Sequence, residues 1–384
     1  MKKRIVDLFA GCGGLSRGFQ DAGFDIVGAF EFWEVAADCY AKNFKHPVFR
    51  SDLSSDGAID AICALNPDII IGGPPCQDFS HAGKRVEDKR AALTEVFANI
   101  VTAIAPRWFV MENVERVQNS SSYESARATL KRAGYGMTEV ILNAALCGAP
   151  QRRKRFFCIG SLDAEDSFLS EYIKNALSKK EMTLRDYFGT TLGFEYYYRH
   201  PRNYSRRAIY SIDEPSATIR GVNRPVPQGY PGHKADACAL NDTIRPMTTF
   251  ERALVQTFPL DFKWVGSKTD MEQMIGNAVP VKLAEFVAKA LAHHILTEED
   301  CDMVDINQFQ GWLRESPLTM KVQRDTVSSL KRADKISPIP SEPDAQYVFT
   351  LEQTPEFREL SVSVRSQLKR AVNLYSDYMK AYNT

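Results

Sequence analysis

A cysteine, a glutamate and a group of arginines stand in this chain where such side chains could perform nucleophilic and acid–base chemistry. Cys76 ends the run Gly72-Gly73-Pro74-Pro75-Cys76, directly behind the apolar segment 68–71. The glycines allow a sharp turn. Each proline fixes its own φ at about −65° and restricts the conformation of the residue before it. Taken alone, this turn is equally compatible with a nucleophile and with a cysteine packed as a small apolar side chain.

The elements that must position these residues are strand-like runs that alternate with helix-like stretches. The strand-like runs are 4–9, 25–30, 68–71, 108–111, 139–142 and 156–159, and the helix-like stretches are 15–22, 35–43, 93–104 and 122–133. This alternation predicts an α/β fold with a mostly parallel sheet. Ligands bind beyond the carboxyl ends of such strands. Three unusual segments follow strands at once, so we expect them to converge on one edge: 11–14, 74–76 and 112–114.

The segment Asp7–Gly14 is a strand that runs into a glycine turn and opens a helix. Its spacing, Gly11-x-Gly13-x-x-Ser16, departs from the GxGxxG of dinucleotide-binding proteins. Glu31 ends the next strand about 20 residues later, where an acid can hold ribose hydroxyls. The turn therefore fits a nucleotide-containing ligand, although a glycine turn alone also fits a purely structural role.

Five motifs in this order resemble those of DNA (cytosine-5) methyltransferases of the prokaryotic restriction-modification type. They are 7–14, 72–80, 112–114, 151–155 and 276–280, and the resemblance covers roughly residues 3–296. It implies a Rossmann-like S-adenosylmethionine-dependent methyltransferase fold with a smaller, loop-rich target-recognition domain and a C-terminal helical extension. The expected division is 1–165 and 261–297 for the catalytic domain, 166–260 for target recognition, and 298–384 for the extension.

The resemblance also implies catalytic roles. Cys76 would attack C6 of a flipped-out cytosine, which makes C5 reactive toward a methyl donor, and a thiol attacks as its thiolate. Glu112, protonated, would contact N3 and the exocyclic amine, and burial raises a carboxyl pKa in the direction that this requires. Arg155 would hold the cytosine O2, and Arg153 would help to neutralise the site.

The methyl donor implied by the resemblance is S-adenosylmethionine, and no metal is expected. Glu31 would take the ribose hydroxyls, Phe32 would stack on adenine, and Asp52 would meet the adenine amine. The remaining expected cofactor-binding residues are Phe9, Gly11, Gly13, Gly14, Leu93, Asn277 and Val279. We expect Trp33 to be a packing residue.

A cytosine must leave the duplex to reach Cys76, so the expected partner is double-stranded DNA. Segment 78–90 resembles the family's mobile catalytic loop, and the expected contacts there and just before it are Gln77, Ser80, Lys84 and Arg85. In the recognition domain we expect Arg199 and Arg206 at phosphates, and Arg220, Asn223 and Arg224 at base edges. Each of these cations also fits an ordinary solvent-facing charge.

Composition bounds the protein class. The 384 residues carry 48 basic and 48 acidic side chains, and this zero net charge argues against binding of a polyanion over the whole surface. Segment 196–250, however, holds eight Lys/Arg against four acids and could face phosphates. The N-terminus shows no signal peptide, no stretch is apolar enough to span a membrane, and the cysteines show no zinc spacing. We therefore expect a cytoplasmic monomer, functionally paired with a cognate restriction endonuclease.

Three alternatives remain at this stage. A tRNA cytosine-5 methyltransferase shares the catalytic motifs, a nicotinamide-dependent oxidoreductase shares the glycine turn, and a silent DNA-binding protein could share the scaffold. The extension is predicted to contain helices at 308–314, 321–333 and 356–382. Segments 321–335 and 365–382 are basic and amphipathic, which fits a DNA-contacting or partner-binding surface as well as simple packing.

Overall fold

The structure is a computed structural model that describes residues 3–55, 57–75, 87–201, 203, 205–301, 306–340, 343 and 345–382. The chain divides into two compact units, Met1–Leu291 and Ala292–Thr384. The boundary predicted between the catalytic domain and the C-terminal extension, at 297/298, lies six residues after this division. It falls inside the helix Val281–Cys301. Across the described residues, no helix combines the length and apolar character needed to cross a bilayer.

Eleven strands are found in the described part of the first unit. They are β1 (Arg4–Leu8), β2 (Asp25–Phe30), β3 (Val48–Phe49), β4 (Ile69–Gly72), β5 (Trp108–Val114), β6 (Tyr135–Asn143), β7 (Gln151–Arg152), β8 (Lys154–Leu162), β9 (Tyr196–Tyr198), β10 (Ile209–Ser211) and β11 (Ser216–Ala217). Seven form one sheet in the order β3-β2-β1-β4-β5-β8-β6. The first five are parallel, whereas β8 runs antiparallel to both β5 and β6.

The helices of the first unit lie between these strands and after them. They are α1 (Gly14–Asp21), α2 (Glu34–Asn43), α3 (Ala58–Cys63), α4 (Glu87–Ile104), α5 (Ser121–Arg132), α6 (Ser170–Ala176), α7 (Leu184–Phe188), α8 (Thr249–Val255), α9 (Lys268–Asn277) and α10 (Val281–Cys301). The predicted α/β class and its early elements are confirmed. Helices α8 and α9 were not predicted, although both begin with capping boxes, Thr248 with Glu251 and Ser267 with Asp270.

The sheet order explains why the motif segments meet. The chain winds from β1 outward through β2 to β3, then crosses back to β4 on the other side of β1. The turns after β1 and β4 therefore leave in opposite directions, and a crevice opens between them at the carboxyl edge. Gly72 at the end of β4 fits only as glycine, because a Cβ there would lie 2.4 Å from the Leu8 carbonyl oxygen.

The second unit is helical and has its own core. Its helices are α11 (Ile306–Arg314), α12 (Met320–Ile336), α13 (Ala345–Gln353), α14 (Pro355–Arg358) and α15 (Val362–Tyr382). Phe309, Leu330, Leu351, Tyr375 and their neighbours form the buried cluster. The single helix expected over 356–382 is two helices, because the Ser361 hydroxyl accepts a hydrogen bond from the Val364 amide and starts α15 afresh.

Candidate active site

A cleft of about 1030 Å³ opens at the carboxyl edge of the parallel strands. Binding sites for drug-sized ligands occupy roughly 300–1,000 Å³, so this cleft has room for a nucleoside-sized ligand and a base. Its walls come from the segments after β1, β2 and β4, from the start of β8, and from the end of α9 and the residues after it. Residues 112–114 also line it, and they form the last residues of β5, which is three residues longer than the predicted strand. The predicted convergence of the three motif segments is confirmed for the described residues.

Glu112 and Arg155 lie side by side in this cleft. Because β8 is antiparallel to β5, the start of β8 lies at the carboxyl edge, and Arg155 pairs with Val114 while Glu112 pairs with Phe157. The Arg155 Nε atom is 2.9 Å from Glu112 Oε1, and both side chains are largely buried. The arrangement puts a carboxyl group and a guanidinium within reach of one small ligand.

Burial governs the protonation of both groups. It raises the pKa of Glu112, against the opposing charges of Arg155 and Arg153, because a buried carboxylate loses its hydration. Burial likewise lowers the pKa of Arg155, and the Glu112 carboxylate opposes that shift. Glu112 therefore holds a proton more readily than an exposed glutamate, which suits a group that must donate one.

Asn113 fixes the proline turn that leads to Cys76. Its buried amide donates to the Pro74 carbonyl at 2.8 Å, and its Oδ1 accepts from the Val114 amide at 2.8 Å. The described chain stops at Pro75, which lines the cleft. Five predicted site residues lie outside the described residues: Cys76, Gln77, Ser80, Lys84 and Arg85.

Glu31, which is predicted to hold ribose hydroxyls, lines the cleft. Its Oε2 accepts the Gly11 amide at 2.7 Å and its Oε1 accepts the Trp33 amide at 2.7 Å. Burial raises the pKa of Glu31, and these amide hydrogen bonds oppose the rise. Each oxygen keeps a second lone pair, so the carboxylate can still accept hydrogen bonds from ribose hydroxyls.

The remaining residues fit an adenosine-bearing ligand. Phe32 is 76% exposed yet lines the cleft, so its ring face is available for stacking, whereas Trp33 is partly buried in a core cluster. Gly14 allows close packing, because a Cβ would lie 2.4 Å from the Val279 carbonyl oxygen. The other predicted cofactor residues that line the cleft are Phe9, Gly11, Asp52, Leu93, Asn277 and Val279. Gly13 instead packs beside Phe44 with φ 94°.

A buried hydrogen-bonded chain behind the cleft was missed at the sequence level. The Ser16 hydroxyl donates to Asp7 Oδ2 at 2.6 Å, the Tyr40 hydroxyl lies 2.7 Å from Ser16 Oγ, and His46 Nε2 lies 2.7 Å from the Tyr40 hydroxyl. Asp7 is fully buried, lines the cleft and leaves Oδ1 without a partner among the described residues. Burial raises its pKa to about 7. When it is deprotonated, the Asp7 carboxylate would stabilise a cation bound in the cleft.

Arg153 holds the framework together and is not among the residues that line the described cleft. Its side chain is buried, and its guanidinium donates to the Ile219 and Gly276 carbonyls, each at 2.9 Å. Arg153 lies directly before β8, and these hydrogen bonds link the start of β8 to the 216–221 segment and to α9. Its charge still acts on Glu112, so the structure gives it a positioning role beside the neutralising role predicted for it.

The predicted DNA-contacting arginines gather on the 196–252 part of the first unit. Arg199, Arg206 and Arg220 line one cavity of about 350 Å³, and Arg224 lines a smaller one that shares Arg199 and Arg220. Arg207, which ends the stretch expected at phosphates, forms an ion pair with Glu214, and Arg252, expected to have a structural role, forms one with Glu272. Asn223 donates to the Met247 carbonyl at 2.8 Å, so it is used within the fold.

Comparison with known proteins identifies the family. Residues 3–293 match C-5 cytosine-specific DNA methylases. The chain is 54% identical over 291 residues to Type II methyltransferase M.HindV of Haemophilus influenzae, covering 75% of this chain and 96% of that protein. It is 53% identical over 294 residues to Type II methyltransferase M.HgiDI of Herpetosiphon aurantiacus, covering 76% and 95%.

A solved structure supports the fold. The S. pombe Dnmt2 methyltransferase superposes with a TM-score of 0.57 at 19% identity, covering 77% of this chain and 99% of that one. At this identity the likeness shows the fold alone, which is the Rossmann-like methyltransferase fold expected from the motifs. The family match spans three quarters of the chain and contains the whole cleft. The protein belongs to the C-5 cytosine-specific DNA methylase family.

Proposed function

We propose that this protein transfers a methyl group from S-adenosylmethionine to C5 of a cytosine in a specific double-stranded DNA sequence, through a covalent bond between Cys76 and C6. The observation that carries the proposal is the pairing of a buried, readily protonated Glu112 with Arg155 next to the turn that precedes Cys76. Two close relatives named Type II methyltransferases support a role in protecting DNA from a cognate restriction endonuclease.

The residues divide the chemistry between them. The Cys76 thiolate adds to C6 while Glu112 delivers its proton to N3, so the ring's electrons make C5 a nucleophile. When bound, the donor supplies an electrophilic methyl group on a sulfonium. Arg155 holds O2 throughout. After C5 has gained the methyl group, water accepts the C5 proton, the Cys76–C6 bond breaks to release the thiolate, and N3 returns its proton to the Glu112 carboxylate, so the aromatic ring is restored. Glu31, Phe32 and Asp52 would hold the adenosine.

A mechanism-based trap tests the proposal. A duplex with 5-fluorocytosine in place of cytosine should form a stable protein–DNA adduct, because C5 then carries no proton to lose and Cys76 cannot leave. The full-length protein should give a gel-stable adduct that requires S-adenosylmethionine, and Cys76→Ser should give none. Cys63→Ser, at an exposed position on α3, is the matched control and should behave as wild type.

Two outcomes would overturn the proposal. One is transfer of a labelled methyl group to tRNA and not to DNA, which would favour the RNA-methylating alternative. The other is undiminished labelling of DNA by Cys76→Ser, which would remove the covalent step. The monomeric state and the cytoplasmic location stay predictions, for which sedimentation and cell fractionation are the measurements.

A further inference from the structure

Helix α12 of the second unit carries a row of cations along one exposed face. Lys321, Arg324, Lys331, Arg332 and Lys335 are all exposed, and we name these five residues the basic stripe. Each helical residue advances about 100° around the axis, so all five fall within an arc of about 100°. From first to last they span about 21 Å along the helix.

The stripe is separate from the packing of the unit. The opposite face of α12 buries Thr326, Val327, Leu330 and Ala333, of which the last three belong to the core of the second unit. None of the five cations belongs to that core, and all five are exposed.

The charges of the stripe are largely uncompensated. Across the described part of the chain, Lys321, Arg324, Lys331 and Arg332 form no ion pair with an acidic side chain. Asp325 is the one exposed acid on α12, and Asp334 accepts the Ile339 amide at 2.7 Å. Four or more cations in a regular row produce a positive potential that attracts an extended polyanion.

We propose that the basic stripe binds the phosphate backbone of duplex DNA without reading its sequence. Its length of about 21 Å corresponds to about six steps of one DNA strand at 3.4 Å each. The inference rests on the proposed function for the presence of DNA. It adds a second, sequence-independent contact, outside the region that matches the family, which ends at residue 293.

A membrane surface fits the stripe less well than DNA does. Helices that lie in a bilayer interface expose Trp, Phe or Leu beside their cations and bury that face in lipid. The apolar face of α12 is instead buried in the protein, and the exposed large apolar residue on this helix is Met320 at its first position. Binding would therefore depend on charge alone, which is typical of phosphate-backbone contacts.

The test uses the full-length chain and a 30-base-pair duplex that contains only adenine and thymine, so that no cytosine can act as substrate. The variant is Lys321→Gln, Arg324→Gln, Lys331→Gln and Arg332→Gln together. Between 50 and 200 mM salt, the wild-type affinity should fall about 10²-fold more than the affinity of the variant. Four lost phosphate contacts reduce the slope of log K against log salt by about 3.6.

A charge-matched control removes four exposed cations from elsewhere in the chain: Lys42→Gln, Lys45→Gln, Arg314→Gln and Arg370→Gln. It should keep the wild-type salt slope, and unchanged circular dichroism should show that both variants fold. The proposal is overturned if the stripe variant keeps the wild-type slope, if the control loses as much, or if the stripe binds anionic phospholipid vesicles and no DNA. The proposed function is judged separately, because the stripe variant should retain the wild-type methylation rate on a saturating cytosine-containing duplex.

Discussion

Glu112 is the residue on which the proposed chemistry depends most directly, because the proton for N3 must come from a group that holds it near neutral pH. Glu112→Gln keeps the size of the side chain and removes that proton. We expect the single-turnover methylation rate on saturating DNA to fall about 10²- to 10⁴-fold, the range typical of general acid catalysis. Rapid-quench transfer of a labelled methyl group measures this.

The control for this prediction is Glu115→Gln, three residues further along the chain, whose carboxylate lies 3.7 Å from Lys154 and is half exposed. It should methylate DNA at the wild-type rate. Calorimetric binding of S-adenosylmethionine should be unchanged in both variants, since Glu31 and not Glu112 is the residue proposed to hold the adenosine. A Glu112→Gln protein that keeps its rate would show that the proton comes from elsewhere.

Asp7 makes a pH-dependent contribution to folding. Its pKa is raised to about 7, so between about pH 4 and 7 the folded chain retains a proton that the unfolded chain has lost. The contribution of Asp7 to the free energy of unfolding therefore falls as pH rises through that window. Glu31 adds to the rise of the pKa, and hydrogen bonding by Ser16 opposes it.

Asp7→Asn removes this titration and keeps an oxygen that can accept from Ser16. Relative to wild type, we expect its free energy of unfolding to increase by roughly 2–4 kcal/mol between pH 4 and pH 7.5. Denaturant titrations at several pH values measure the difference. The exposed Asp60→Asn on α3 is the control and should show no such trend, and a constant difference for Asp7→Asn would refute the assignment.

Much of the site was predictable at the level of elements, and the exceptions have physical reasons. The motifs at β1, β2 and β4 follow the ends of these strands, and the 112–114 motif forms the last residues of β5, so parallel topology alone predicts that they meet. Arg155 lies at the start of its strand, and its place at the same edge requires β8 to be antiparallel, which no local pattern shows. The Asp7–Ser16–Tyr40–His46 chain depends on how α1 and α2 pack, which single-sequence periodicity does not specify.

The junction between α9 and the 219–221 segment joins the arginine-rich 196–252 part to the wall of the cleft. A Cβ on Gly276 would lie 2.1 Å from the Gly221 backbone nitrogen and 2.4 Å from the Arg220 carbonyl carbon. Backbone atoms cannot turn away as a side chain can, so Gly276→Ala must push the two segments apart. We expect the free energy of unfolding to fall by about 2 kcal/mol or more.

Thermal and denaturant unfolding of the full chain measures this loss. Gly311→Ala in α11 is the matched control, because a Cβ there meets nothing within 4 Å. It should stabilise the protein by about 0.5–1 kcal/mol, since alanine favours a helix over glycine. A Gly276→Ala protein as stable as wild type would mean that the two segments accommodate the added methyl group. The contact at Gly276 would then not fix their relative position.

At the scale of the whole molecule, the chain consists of a family domain and an additional helical unit. The aligned relatives are covered over 96% and 95% of their own length by about three quarters of this chain. The second unit therefore lies beyond what those relatives contain. The residues of its buried cluster lie between Phe309 and Tyr378, within the second unit.

Separate cores predict separate unfolding. Among the described residues, those that line the cleft all belong to the first unit, so S-adenosylmethionine should stabilise that unit and leave the helical unit unchanged. At 100 times its dissociation constant, a ligand stabilises its unit by about 2.7 kcal/mol. Differential scanning calorimetry should show two transitions, one of which rises with S-adenosylmethionine. In Glu31→Gln the same ligand concentration should raise the temperature of that transition less, because the proposed ribose contact is lost. A single transition that shifts with the ligand would contradict the prediction, because it would show that the two cores unfold together.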